Sequence, residues 1–215
     1  MTNPDAVGMS ATRLARIRPA MQTYVDHHGY AGISTMIARR GKVVYADRIG
    51  WQDREAGVAM APDTIFRMYS MTKPVICTAL MTLFEEGKFS LIDPVAKFIP
   101  AFGATKVTSP DGSLVDQNPM RPMQVRDLMS HTSGLSYDFL EDYPVAAQYR
   151  DARLMNDPTR SLAAVIDELA TLPLAFHPGT SWHYSLGIDV AARLIEVISG
   201  QSLGDFLHER LFAPL

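Results

Sequence analysis

The stretch YSMTKPV, residues 69–75, places Ser70 three residues before Lys73. The largely apolar run KPVICTALMTLFEEGKF follows, and it predicts a buried helix that begins at Thr72 and stops at Gly87. Three residues make about one helical turn, so the two polar side chains are expected on one face of that helix. The spacing suits a nucleophile beside its base, and it equally suits a capping serine beside a solvated lysine.

The start of a helix favours nucleophilic chemistry. Unpaired N–H groups and partial positive charge gather there, so the Ser70 amide is placed to donate to a developing oxyanion. Burial beside Val75, Ile76 and Leu80, together with the helix dipole, is expected to lower the pKa of Lys73. A neutral lysine accepts a serine proton.

The chain before Ser70 predicts one helix and a few strands. Residues 10–28 have helical spacing, with Ser10 as the cap and Gly29 as the end. AGISTMIARRGKVVYADRIGW predicts two strands joined at Arg40-Gly41, and DTIFRMYS, residues 63–70, predicts a third extended segment. Three antiparallel strands with one helix leave an open sheet edge, so we expect this polypeptide to be part of something longer.

The chain after Ser70 is mainly helical. Helices are predicted in QVRDLMSHTSGL and TRSLAAVIDELATLPL, and two more in LGIDVAARLIEVISGQSLGDFLHERLF, broken near Gly200. Irregular stretches are predicted at residues 103–124, at 135–158 and in FHPGTSWHYS. We therefore divide the chain into residues 1–66, with the N-terminal helix and first strands of an α/β domain, and 67–215, a mainly helical region.

Composition narrows the class of protein. The chain has 215 residues, 47% hydrophobic and 20% charged, which is typical of a soluble globular protein. The net charge is −3, so the chain lacks the excess of basic residues that would favour binding to nucleic acid or to an anionic membrane. Cys77 is the one cysteine, so an internal disulfide is excluded. No apolar leader and no run of about 18 apolar residues is present, so we expect a cytoplasmic protein without a membrane span.

The segment HYSLG, residues 183–187, supplies a second candidate. Tyr184 lies in a loop that opens a helix, after Pro178-Gly179. A tyrosine hydroxyl beside a cationic lysine has a lowered pKa and can share proton transfer. A half-buried tyrosine bonded through its hydroxyl is the more common outcome.

Several ordered segments carry a resemblance to a known family. SMTK is similar to the first motif of that family, Ser-x-x-Lys, and YSL occupies the position of its second motif, Tyr-x-Asn. LIDPVAKFIPAF, LMSHTSGL, PGTSWHYS and ISGQSLGDFLHERLFAPL match further segments in order. From about residue 10 onward, the sequence resembles the serine β-lactamase and penicillin-binding-protein superfamily, in the class C β-lactamase-like branch that includes the family VIII carboxylesterases.

The resemblance implies a fold and roles. The fold is α+β, of the β-lactamase/transpeptidase type, with an antiparallel sheet flanked by helices and a helical region. Ser70 would be the acylated nucleophile, and Lys73 with Tyr184 would jointly form the base system. The expected substrate is a small-molecule carboxylic ester, and no cofactor is implied.

Two departures from the family pattern stand out. Leu186 replaces the Asn of the second motif and is a candidate substrate-binding residue. Because leucine cannot hydrogen-bond a substrate amide, it favours esters over β-lactams. The third motif, near Lys-Thr-Gly on a late strand, is missing, and HTSG at 131–134 is a separate segment. We therefore expect a C-terminally truncated sheet and cleft, and poor activity of the 215-residue form alone.

Alternatives remain at this point. One is a β-lactamase, a D-alanyl peptide hydrolase or a transesterase. Another is a non-catalytic module that binds acyl compounds or a protein. No Gly-x-Ser-x-Gly elbow supports an α/β-hydrolase. The histidines have no metal-ligand spacing, so we expect no metal site; they are His27, His28, His131, His177, His183 and His208.

Overall fold

A computed structural model describes residues 1–108, 117–155, 157 and 159–215 of the chain. The chain forms two compact units, Met1–Arg67 and Met68–Leu215. In the described residues, no helix has both the length and the apolar character needed to cross a membrane.

The first unit begins with helices α1 (Ala11–Leu14) and α2 (Ile17–His27), preceded by a 3-10 turn at Pro4–Val7. The predicted helix over 10–28 is therefore broken once. Its predicted cap is confirmed, because the Arg13 amide donates to Ser10 Oγ at 3.3 Å. Gly29 has a φ of 76°, which is the left-handed conformation that follows many helix ends.

The sheet of the first unit is antiparallel, in the order β1 (Gly32–Arg39), β2 (Lys42–Asp53), β3 (Val58–Ala59). Arg40 and Gly41 both have positive φ, 53° and 72°, as a two-residue hairpin turn requires. The predicted hairpin is thereby confirmed.

The prediction of a strand at residues 63–70 is wrong. Residues 64–68 form no regular element, and Tyr69–Met71 is a 3-10 helix. The Thr64 hydroxyl accepts a hydrogen bond from the Ala61 amide at 2.9 Å and donates one to Gln52 at 2.7 Å. These side-chain bonds hold a local turn that competes with extended structure.

The second unit is built from helices. They are α3 (Thr72–Glu85), α4 (Val125–Met129), α5 (Ala146–Asp151), α6 (Leu162–Leu169), α7 (Gly187–Ser199) and α8 (Leu203–Leu207), followed by a π-helical turn at His208–Phe212. Helix α7 packs on α3, α4, α6 and α8. Its buried residues include Val190, Ala191, Leu194 and Ile195, so this helix forms the centre of the core.

Several predicted elements of this unit are confirmed, but they differ from the prediction in burial or in extent. Helix α3 begins at Thr72 as predicted, but Thr72, Pro74, Thr78 and Glu85 are exposed, so it is buried on one side. The stretch 135–158, predicted to be irregular, contains α5, whose Tyr149 is fully buried. Of the predicted loop at 103–124, residues 109–116 lie outside the described part of the chain.

Candidate active site

Ser70 lies in the 3-10 helix Tyr69–Met71, which runs directly into α3. Tyr69, immediately before it, has a φ of 47°, a conformation that non-glycine residues seldom adopt. Such strain is concentrated at functional sites in folded proteins. Ser70, the next residue, is exposed and lies at the start of a long helix.

Lys73 and Tyr184 meet Ser70 in space. The Tyr184 hydroxyl is hydrogen-bonded to Ser70 Oγ at 2.5 Å, and Lys73 Nζ lies 4.7 Å from the centroid of the Tyr184 ring. The structure thus brings together three of the residues that the sequence analysis singled out.

Tyr137 is a fourth residue of this site, and the sequence analysis did not identify it. Lys73 Nζ donates a hydrogen bond to the Tyr137 hydroxyl at 3.0 Å. The rings of Tyr137 and Tyr184 are stacked, with centroids 5.4 Å apart. Tyr137 comes two residues after the end of LMSHTSGL. The resemblance of that segment to the family therefore pointed to this part of the chain, but not to the Tyr137 side chain.

Hydrogen bonds between two segments place these tyrosines side by side. Ser136 Oγ and His183 Nε2 are 2.9 Å apart, and these residues directly precede Tyr137 and Tyr184. The His183 amide also donates to the His131 carbonyl at 2.8 Å. Because Ser136 and His183 are buried, this bond is protected from water and fixes the spacing of the two phenols.

The predicted lowering of the Lys73 pKa is wrong. Burial alone lowers it, but hydrogen bonds to Tyr184 and Tyr137 outweigh burial, and the pKa of Lys73 is raised. The opposite happens at Tyr184. Burial alone raises its pKa, but the hydrogen bonds with Lys73 and Ser70 and the charge of Lys73 lower it. The lysine is therefore held as an ammonium, and the tyrosine beside it ionises more readily than usual.

A cavity of about 500 Å³ opens beside these groups. Among the described residues, its polar and charged lining comes from Tyr69, Ser70, Thr72, Lys73, Tyr137, Tyr184 and Asp189. Most of its remaining lining is apolar and includes Ile76, Phe139, Met155, Leu162, Ile188 and Leu203. Such an apolar cleft with a few convergent polar groups is typical of a small-molecule site.

Leu186, the candidate substrate-binding residue, lies elsewhere. Its side chain is 1% exposed and belongs to the core, and it is not among the described residues that line the cavity. The chain enters α7 at this position, and the Leu186 side chain packs into the hydrophobic core of the unit.

The sequence of the chain matches the family described as Beta-lactamase over residues 17–215. The chain belongs to this family. The predicted resemblance is confirmed. The predicted α+β fold class is confirmed as well, because a solved structure of a related hydrolase superimposes on the chain.

Relatives within the family include named esterases. Esterase EstB of Burkholderia gladioli is 33% identical over 99% of this chain and 53% of its own length. Lovastatin esterase of Penicillium rubens is 35% identical over 71% of this chain and 38% of its own. A solved structure titled EstCE1, a hydrolase with promiscuous acyltransferase activity, has a TM-score of 0.82 and 32% identity, over 94% of this chain and 51% of that one. The chain spans about half the length of the curated relatives it matches.

Proposed function

We propose that this chain carries the nucleophile and base of a serine hydrolase that cleaves carboxylic esters through an acyl-enzyme. The observation that carries the proposal is the 2.5 Å hydrogen bond between Ser70 and Tyr184, beside the Lys73 ammonium. A weakly acidic hydroxyl becomes a useful nucleophile when a positioned base takes its proton.

In the first step, the Tyr184 phenolate accepts the Ser70 proton while Ser70 Oγ attacks the ester carbonyl. The Lys73 ammonium stabilises the phenolate, because its charge and hydrogen bond lower the pKa of Tyr184. As the tetrahedral intermediate collapses, the carbon–oxygen bond to the alcohol breaks. The alcohol leaves with the proton from Tyr184, and an acyl group remains on Ser70.

In the second step, water takes the place of the alcohol. Tyr184 accepts a proton from the water, and the resulting hydroxide attacks the acyl carbonyl. Collapse breaks the bond to Ser70 Oγ, which regains its proton from Tyr184, and the carboxylic acid is released. Lys73 and Tyr184 thus act as one base system in both halves of the reaction.

The cavity favours esters over β-lactams or D-alanyl peptides as substrates. Among the described residues that line it, no Asn or Gln side chain is present to hydrogen-bond a substrate amide. The apolar lining suits hydrocarbon acyl groups. The esterase relatives support the same choice.

The proposal is tested with the 215-residue chain and two serine variants. Ser70→Ala removes the nucleophile, and Ser90→Ala removes an exposed serine that does not line the cavity. Release of p-nitrophenol from p-nitrophenyl butyrate is measured, and intact mass is recorded after treatment with a fluorophosphonate.

We expect one phosphonyl adduct for the unsubstituted chain and for Ser90→Ala, with slow ester turnover because this chain is expected to be poorly active alone. Ser70→Ala should show neither the adduct nor the turnover. Equal turnover or equal labelling of Ser70→Ala, or no labelling of the unsubstituted chain, would overturn the proposal. Faster turnover of a chromogenic cephalosporin than of any ester would replace the ester assignment by a β-lactamase.

A further inference from the structure

Asp189 is the one acidic side chain among the described residues that line the cavity beside Ser70. It lies in the first turn of α7, where its neighbour Ile188 and, one turn later, Ala192 line the same cavity. Lys73 is the one basic side chain in this lining. The two charges therefore decide how the cavity responds to a charged substrate.

The Asp189 carboxylate has few partners of its own. Within the part of the chain that the structure describes, it interacts electrostatically with Lys73, Tyr137 and Tyr184 and accepts a hydrogen bond from its own backbone amide, and it forms no ion pair. Burial raises the pKa of this carboxyl, while the charge of Lys73 opposes that effect. An ionised carboxylate has about four acceptor positions, and buried groups of this kind are normally hydrogen-bonded. The acceptor positions that the backbone amide leaves open are available to a donor in the cavity.

Lys73 does not neutralise Asp189 in the reactive state. Its ammonium is engaged by Tyr137 and Tyr184, and when Tyr184 is ionised the lysine and the tyrosine together carry no net charge. Asp189 then leaves the cavity with an excess negative charge. A substrate with a carboxylate meets repulsion there, and one with an ammonium group gains attraction.

We propose that Asp189 sets the charge preference of the cavity, selecting esters with neutral or ammonium-bearing acyl groups and disfavouring substrates that carry a carboxylate. β-Lactams and D-alanyl peptides carry such a carboxylate, so the same residue disfavours both classes. Rejection of a substrate by a placed like charge is a recognised route to specificity. This inference rests on the proposed ester hydrolysis at Ser70.

The test uses three p-nitrophenyl esters of equal chain length: hexanoate, 6-aminohexanoate and the adipate monoester. Their kcat/KM values are compared for the unsubstituted chain, for Asp189→Asn, which keeps the shape and removes the charge, and for Asp167→Asn. Asp167 is an exposed residue of α6 outside the cavity lining, so its variant matches the change in net charge.

In the unsubstituted chain we expect 6-aminohexanoate to be preferred over adipate. In Asp189→Asn the adipate-to-hexanoate ratio should rise by about 10- to 100-fold, and the 6-aminohexanoate-to-hexanoate ratio should fall similarly, the size expected for one unit charge at an effective dielectric constant of about 20. Asp167→Asn should leave both ratios unchanged.

Unmoved ratios in Asp189→Asn, or a preference of the unsubstituted chain for adipate, would overturn the inference. The latter comparison needs no variant, so the inference stays testable even if Asp189→Asn fails to fold. The two proposals fail differently. If Ser70→Ala hydrolyses hexanoate as fast as the unsubstituted chain, the function is wrong; if hydrolysis depends on Ser70 but the ratios do not move, only the role of Asp189 is wrong.

Discussion

The Tyr184 hydroxyl lies 2.5 Å from Ser70 Oγ, although 114 residues separate them in the chain. Lys73, one helical turn from Ser70, donates a hydrogen bond to the Tyr137 hydroxyl at 3.0 Å and not to Ser70. In the proposed reaction the tyrosine therefore takes the serine proton, and the lysine contributes by lowering the pKa of that tyrosine. This relationship decides how activity should respond to pH and to substitution.

Replacing Lys73 by Met should move the rate–pH profile. In the proposed reaction the rate should rise with pH as Tyr184 loses its proton, and Lys73 lowers the pKa of Tyr184. In Lys73→Met the rising limb should shift to higher pH, and kcat/KM near pH 7.5 should fall by about 10²- to 10⁴-fold. The measurement is ester kcat/KM from about pH 6 to about pH 10. Replacement of the exposed Lys88 by Met is the control and should leave the profile unchanged. If Lys73→Met lowers the maximal rate but does not shift the rising limb, Lys73 does not act by lowering the pKa of Tyr184.

Tyr137→Phe should have a smaller effect than Tyr184→Phe. The phenyl ring keeps the stacking on Tyr184, while the hydrogen bond from Lys73 is lost. We expect about a 10-fold loss of kcat/KM, against about 10³-fold for Tyr184→Phe, which removes the proposed proton acceptor itself. Because that bond raises the pKa of Lys73, its loss should lower the lysine pKa and shift the falling alkaline limb to lower pH. Equal losses in both variants would contradict this division of roles.

Leu186→Asn should destabilise the protein and should not create a β-lactamase. Leu186 is 1% exposed, so the change leaves a buried amide and a poorly filled space. We expect a loss of about 3 kcal/mol in the free energy of unfolding, measured by urea denaturation, and less than about 1.5 kcal/mol for the volume-matched Leu186→Met. Unchanged stability with new cephalosporin turnover would show instead that this side chain meets substrate.

His183 should make the protein less stable in mild acid. Burial lowers its pKa, and Asp142, whose carboxylate lies 4.0 Å from Nδ1, partly offsets this effect. Ser136, Tyr143 and Phe176 also contact its ring, and the titratable His131 interacts with it electrostatically. A folded-state pKa below the unfolded value of about 6.5 means that the unfolded chain binds the proton first. Stability is then fully present above that pH and decreases below it.

The measurement is the free energy of urea unfolding between about pH 5 and about pH 8. His183→Gln should flatten the curve in part, because the pKa of the half-buried His131 is also lowered and contributes in the same direction. The exposed His208→Gln should leave the curve as it is. An unaltered slope in His183→Gln would exclude His183 as a source of the acid sensitivity.

Local features of the fold could be predicted from sequence because they depend on neighbouring residues. The hairpin follows from the positive-φ turn at Arg40-Gly41, and the first helix cap from Ser10. The strand predicted at 63–70 failed because extended propensity alone cannot show that a side chain such as Thr64 will close a turn with Ala61. Strand formation needs a partner, and pairing is not a local property.

For the candidate site, the sequence by itself determined the one-turn spacing of Ser70 and Lys73 and, through ordered segments, the family. The tertiary structure alone decided that Tyr137 bonds Lys73 across 64 residues, that Leu186 faces the core and Asp189 the cavity, and that the lysine pKa rises. The physical reason is that a pKa and a cavity wall are set by what surrounds a side chain in space. Helical periodicity fixes only what lies within a turn or two along the chain.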